Sequence, residues 1–177
     1  MRIILVSIFI VLVAAKQHNL YSQIDSTNIP LFIIDTKGQS IPDEPKITAD
    51  LRIIYDGKSY NCPDDTANIY EGKIGIEIRG KYSATLPQKP YGIETRDALG
   101  ENLNIPLFHM PAENDWILLA NYNDKTFLRN TLSFEIFRRM GHFAPRTQYC
   151  ELVLNDNYQG IYVFTEKIKR DKGRVNT

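Results

Sequence analysis

The sequence predicts an α+β fold, a mostly antiparallel sheet carrying one principal helix. Three observations predict it. Ile74-Gly75-Ile76-Glu77-Ile78-Arg79 alternates with the period of a strand, placing three isoleucines on the core face and Glu77 and Arg79 on the other. Tyr149–Leu154 and Ile161–Phe164 flank the turn region Asn155-Asp156-Asn157-Tyr158-Gln159-Gly160 as a hairpin. Between these segments Leu128, Leu132, Ile136 and Met140 recur every four residues, which predicts a helix with a core-facing stripe.

The remaining elements follow in order. Leu31–Asp35 is an apolar strand closed by the turn residues Thr36-Lys37-Gly38. Ile47–Tyr55 is a second strand, ended by Asp56-Gly57, and the polar residues 57–72 are expected to form a loop. Pro90–Thr95 is a further strand, with Pro90 tolerated at its entry. Trp116–Ala120 is a buried run in which Trp116 belongs to the core rather than to a sugar-binding surface. Asn123 or Asp124 is expected to cap the helix and Gly141 to end it, with Arg138 and Arg139 suiting its C-terminal dipole. After Glu166 the chain turns charged, from Lys167 to Lys172.

Composition bounds the function. Among 177 residues, 21 Lys+Arg balance 21 Asp+Glu, and 43% are hydrophobic. A chain this apolar and this neutral is no disordered tail, nor does it bind nucleic acid or anionic membranes through bulk charge. Its length suits one domain.

Residues 1–15 have the layout of a secretory signal peptide: Arg2, the apolar run Ile3–Val13, then Ala14-Ala15 as a small-residue exit. The run is shorter than the ~20 residues that cross a bilayer as a helix. A second exit lies at Tyr21-Ser22-Gln23. The expected product is secreted, periplasmic or at the cell surface, with no membrane attachment after cleavage. Export would permit a Cys62–Cys150 bridge, and two unlinked thiols is the other reading. His18, His109 and His142 are isolated and lack the spacing of metal ligands.

No nucleophile elbow, zinc-protease motif, P-loop or dinucleotide fingerprint occurs. The element order (strand, loop, lysine-led strand, helix, hairpin, connector) is that of a protein-kinase small lobe. On that template Lys89 holds nucleotide phosphates, Glu135 in the helix pairs with it, and Gly80–Thr85 lies over the phosphates. The plainer reading makes Lys89 a solvated strand-end lysine and Glu135 a surface helix residue.

Ile76-Glu77-Ile78-Arg79-Gly80, then Gln88-Lys89-Pro90-Tyr91-Gly92-Ile93-Glu94, resembles the CotH (spore coat protein H) kinase family. So do Asn114–Asp124, Leu128-Arg129-Asn130, Ala144-Pro145-Arg146, Cys150–Asn155 and Gly160–Ile168. Leu31–Asp35 and Ile41–Lys46 look most like exported members from Bacteroidota-type bacteria. The resemblance implies an atypical kinase small lobe at 29–177, incomplete and inactive alone. Such enzymes transfer the γ-phosphoryl of ATP to Ser or Thr of extracytoplasmic proteins, with Mg or Mn. It makes Lys89 the nucleotide lysine, Glu135 its partner, Arg79 a phosphate-side contact, and Glu166 a neighbour of the adenine. Lys81 and Ser83 fall in the phosphate loop, which departs from the family's usual Ser, Asn and Gly. Arg129, Asn130 and Arg146 match motifs and are expected to brace the fold. No catalytic base and no metal ligand is assigned in this stretch. The alternative is a non-catalytic structural or adhesion module of the cell surface or coat.

Overall fold

The computed structural model describes residues 24–175, so the signal-peptide reading of residues 1–15, with its second exit near Gln23, lies outside the described residues. The strands are β1 (Leu31–Asp35), β2 (Ile47–Ile54), β3 (Tyr70–Ile78), β4 (Tyr91–Arg96), β5 (Ile105–Leu107), β6 (Met110–Glu113), β7 (Asp115–Ala120), β8 (Thr147–Leu154) and β9 (Asn157–Glu166). One α-helix, α1 (Arg129–Arg139), joins β7 to β8.

The expected α+β kinase small lobe is not what forms. Seven strands close into a barrel in the order β1-β2-β3-β4-β7-β9-β8, and β5-β6 form a separate two-stranded sheet. Every neighbouring pair in the barrel is antiparallel except β1 and β8, which run parallel with Leu31 opposite Glu151 and Ile34 opposite Leu154. That pairing seals the sheet and leaves no open edge. It joins segments far apart in sequence, so no local pattern announces it.

Period-two alternation fills the barrel. Phe32, Ile34, Leu51, Ile53, Ile74, Ile76, Ile93, Trp116, Leu118, Leu152, Tyr162 and Phe164 form one buried cluster. Ile78 packs against it from a half-buried position. β1 is buried on both faces: Leu31 and Ile33 point outward into a second cluster with Ile24, Ile54 and Val153. This explains why its sequence is a continuous apolar run rather than an alternating one. The β5-β6 hairpin contributes Leu107 and Met110 to the core, and the Phe108 ring lies 6.3 Å from Phe32 and 6.0 Å from Phe164.

Two expectations change in detail. The loop predicted for 57–72 ends early, because β3 begins at Tyr70. The helix stripe faces outward: α1 has no buried residue, and Leu128, Leu132, Ile136 and Met140 are 54%, 55%, 50% and 64% exposed. Strand side chains supply every fully buried member of the barrel cluster, and the helical stripe takes no place among them.

Other local expectations are met in altered form. Leu128 occupies the N-cap without a side-chain bond, and Asp124 supplies the cap from upstream, accepting the Arg129 N–H at 2.9 Å. Gly141 follows the helix with φ +85°. The β8-β9 turn tightens to Asn155-Asp156, with φ 49° and 62°, the geometry of a two-residue hairpin turn with both central residues left-handed. Cys62 is half-buried and Cys150 buried, and both are free thiols.

Candidate functional site

The site is built on the β3–β4 connection. Its base is pinned where the Arg79 N–H donates to the Pro90 carbonyl at 3.1 Å. Gly80 then turns with φ +84°, and a Cβ there would fall 2.4 Å from Ser83 Oγ, so no other residue fits without displacing that hydroxyl. Ser83–Thr85 forms one 3₁₀ turn, with the Thr85 hydroxyl donating to the Tyr82 carbonyl at 2.7 Å.

The loop returns over the barrel end. Lys89 Nζ donates to the Ala84 carbonyl at 2.7 Å. The Gln88 side-chain amide donates to the carbonyls of Gln159 and Ile161 on β9 at 3.2 and 3.0 Å. From inside the barrel, the Tyr162 hydroxyl donates to the Lys89 carbonyl at 3.0 Å. The loop is therefore anchored to β9 through both Gln88 and the Lys89 carbonyl, and it carries Arg79, Lys81, Ser83 and Lys89 on one connection.

Beside it, on the outer face of β3, β4 and β7, lies a cleft of about 210 Å³. Gly92 is in its lining, and Gly75 is a second glycine on the same outer face. Gly92 stands opposite Glu77 on β3 and Ile117 on β7, and Gly75 stands opposite Glu94. A Cβ on Gly92 would meet Glu77 Oε1 at 2.9 Å, and one on Gly75 would meet the Arg96 guanidinium at 2.5 Å. Bare backbone at these two outward positions lets charged side chains lie across the sheet.

Those charges form a network. Lys46 Nζ donates to Glu94 Oε1 at 3.2 Å and lies 3.8 Å from Asp115 Oδ1 and 4.0 Å from Glu77 Oε1. Asp115 also accepts from Lys167 at 3.2 Å and from Lys169 at 2.9 Å. Burial alone would raise the Asp115 carboxyl, but the Lys169 bond and the charges of Lys167 and Lys169 outweigh it and hold the group below its ordinary value. Arg79 lines the same cleft, half-buried, and its guanidinium has no hydrogen bond to any described residue. Desolvation pulls its pKa below the usual arginine value, opposed by the charge of Glu77. A half-desolvated guanidinium with unspent donors is suited to a planar or phosphate-type anion.

The remaining predicted residues stand elsewhere. Glu135 on α1 accepts from Arg138 and from Arg139, the latter at 2.7 Å, and does not meet Lys89. Glu166 is buried at the opposite barrel end, with Arg146 and Arg174 on its carboxylate. Arg129 lies 3.5 Å from Asp124, and the Asn130 amide donates to Asn121 at 3.3 Å. Sequence reasoning missed Lys46, Glu94, Asp115 and Lys167 as a group. The one signal was the pair of glycines at outward strand positions, where close approach of other side chains is the usual reason.

Among the described residues no group of three or more His, Cys, Asp or Glu is placed to hold a metal ion. The cleft carboxylates Glu77, Glu94 and Asp115 all lie within ion-pair distance of lysines. They do not fit the divalent metal that the family resemblance implies, and no step is assigned to one.

The structure is a closed seven-strand β-barrel, antiparallel except at the β1–β8 seam, with a glycine-turned loop beside a charged cleft. A family profile described as CotH kinase protein matches residues 76–177, starting on β3 and covering the loop, the cleft wall, α1 and the terminal hairpin. The chain belongs to the CotH kinase family. No curated protein matches it.

Proposed function

We propose that the chain is the nucleotide-handling part of an exported ATP-dependent protein kinase, acting on Ser or Thr of extracytoplasmic proteins. The observation that carries this reading is Arg79. Its guanidinium is half-buried, unbonded to described residues, and adjoins a loop bearing Lys81, Ser83 and Lys89. Membership of the CotH kinase family supports kinase-related chemistry. Export rests on Arg2 and the apolar run Ile3–Val13.

Titration calorimetry with ATP tests the binding step. The wild-type chain is expected to bind ATP, and Arg79→Ala to weaken it by about tenfold or more, the value of one charge-assisted contact. Lys89→Ala is expected to act more weakly, because one of its three donors is already engaged by the Ala84 carbonyl of its own loop. Absence of ATP binding by wild type, or equal affinity in Arg79→Ala, would overturn the reading in favour of a non-catalytic surface module. The mass of the mature product from producing cells tests export: loss of residues 1–15 is expected, and an uncleaved N-terminus in that product would overturn it.

A further inference from the structure

We propose that the outward face of α1 is a docking surface for an acidic amphipathic helix of a protein partner. The helix is turned against its own pattern. Thr131, Phe134, Glu135 and Arg138, spaced as one helical face, are half-buried toward the rest of the chain. Leu128, Leu132, Ile136 and Met140 stand half or more exposed, with Phe137 exposed beside them. Apolar residues scattered singly over a surface need no account, but this set on one helix forms a patch of the kind that marks an interaction site. It runs the length of α1 as an i, i+4 ridge, which a second helix packs against ridge into groove.

The patch runs into a concave socket. Phe137, Phe143, Pro145, Ile168 and Val175 line a cavity of about 470 Å³ between α1, residues 143–145 and the segment that follows β9. His142 stacks on Phe137 with ring centroids 4.7 Å apart, so one wall is set before anything binds. A bilayer surface can follow a convex stripe but does not enter such a socket, whereas an apolar side chain of a protein fills it.

Charge selects the partner. Asp124 caps α1 and lies 3.5 Å from Arg129, and Glu135 accepts from both Arg138 and Arg139, so the two carboxylates at this face are spent. Residues 124–146 hold five Lys and Arg against those two, although the whole chain balances 21 against 21. Arg129 and Arg139 keep 76% and 79% of their side chains exposed, and Lys125 is exposed. A second copy of the chain would set this positive rim against itself. A partner with Asp or Glu flanking its apolar residues complements it.

The test is fluorescence anisotropy of labelled helical peptides against the mature chain. One peptide carries Leu at i, i+3, i+4 and i+7 with Glu along both flanks, and its counterpart has Lys in place of Glu. The Glu peptide is expected to bind saturably and the Lys peptide about tenfold more weakly, with the gap narrowing as salt rises. Ile136→Ser, at an exposed position, is expected to keep the fold and to weaken the Glu peptide about fivefold or more. Arg139→Glu is expected to narrow the gap between the two peptides.

No saturable binding of the Glu peptide, or equal binding of both peptides, would overturn the proposal. Binding to phosphatidylglycerol vesicles that is lost in Ile136→Ser, without peptide binding, would overturn it in favour of a membrane surface. A dimer in sedimentation velocity that Ile136→Ser dissociates would overturn it in favour of a contact between copies.

Discussion

Arg174 lies over the face of Trp116, its guanidinium carbon 4.9 Å from the ring centroid, and its Nη1 donates to Glu166 in the same buried end of the barrel. Arg146 reaches the same carboxylate from the partly exposed side, donating through its backbone N–H at 2.7 Å and through Nη1 at 2.6 Å. One carboxylate at the end of β9 thereby fastens both the entry to β8 and the segment that follows the barrel.

That triad predicts an asymmetry in stability. Glu166→Gln leaves the Arg174 charge buried without a counter-ion and is expected to cost about 3–5 kcal/mol. Arg174→Met removes the charge and keeps apolar volume over Trp116, so its cost is expected to be clearly smaller. Urea denaturation of the two variants, followed by Trp116 fluorescence, checks the order.

Acid should loosen the cleft. Asp115 and Glu94 are raised by burial but held net below their ordinary values by lysine and arginine partners. A depressed carboxylate contributes stability that is complete above its unfolded value and lost as pH falls through the folded one, so the loss is expected below about pH 4. Lys169 behaves oppositely. Burial lowers it, but Glu113 and Asp115 raise it further, so its contribution is complete below its ordinary value and is lost at strongly alkaline pH. Melting temperature against pH should show a plateau between, with a shallower acid arm in Asp115→Asn.

Gly80→Ala should cost about 1–2 kcal/mol through its left-handed backbone alone, and more through the contact with Ser83 Oγ. Pairing it with Ser83→Ala relieves the contact but not the backbone. The double variant is therefore expected to regain part, not all, of the loss in a thermal melt.

Thiol chemistry should separate the two cysteines. Cys150 is fully buried, its thiol pushed well up by desolvation, whereas Cys62 is half-buried. A chromogenic disulfide reagent is expected to titrate one thiol in the native chain and two in denaturant, with no disulfide on non-reducing gels.

The outward stripe of α1 makes a prediction opposite to the one its periodicity suggests. Leu132→Ser and Ile136→Ser should each change stability by less than about 0.5 kcal/mol, where a core position would cost several times more. Calorimetry on either variant distinguishes the two.

Individual strands were legible because each carries its own instructions. The isoleucines of β3, the apolar run of β1 and the Asn155-Asp156 turn state their conformation within a few residues. Of the candidate site, the sequence offers Arg79, Lys81, Ser83 and Lys89 on one connection, since these are neighbours in sequence. Lys46, Glu94, Asp115 and Lys167 were not legible as a group, because four stretches of chain must assemble before they meet. The β5-β6 hairpin escaped for a related reason: Pro106 and the left-handed Phe108 break any period, and only packing against Phe32 and Phe164 makes it a cap.

By itself, the sequence determined the strand segments of the barrel, the terminal hairpin, the position of the helix and the family motifs, all of which depend on interactions a few residues long. Tertiary structure alone decided that β1 pairs parallel to β8 and closes a barrel, that the apolar stripe of α1 faces outward, and that Glu135 pairs with Arg138 and Arg139 rather than with Lys89. Local periodicity says which side of an element is apolar. What lies opposite that side depends on where distant segments come to rest.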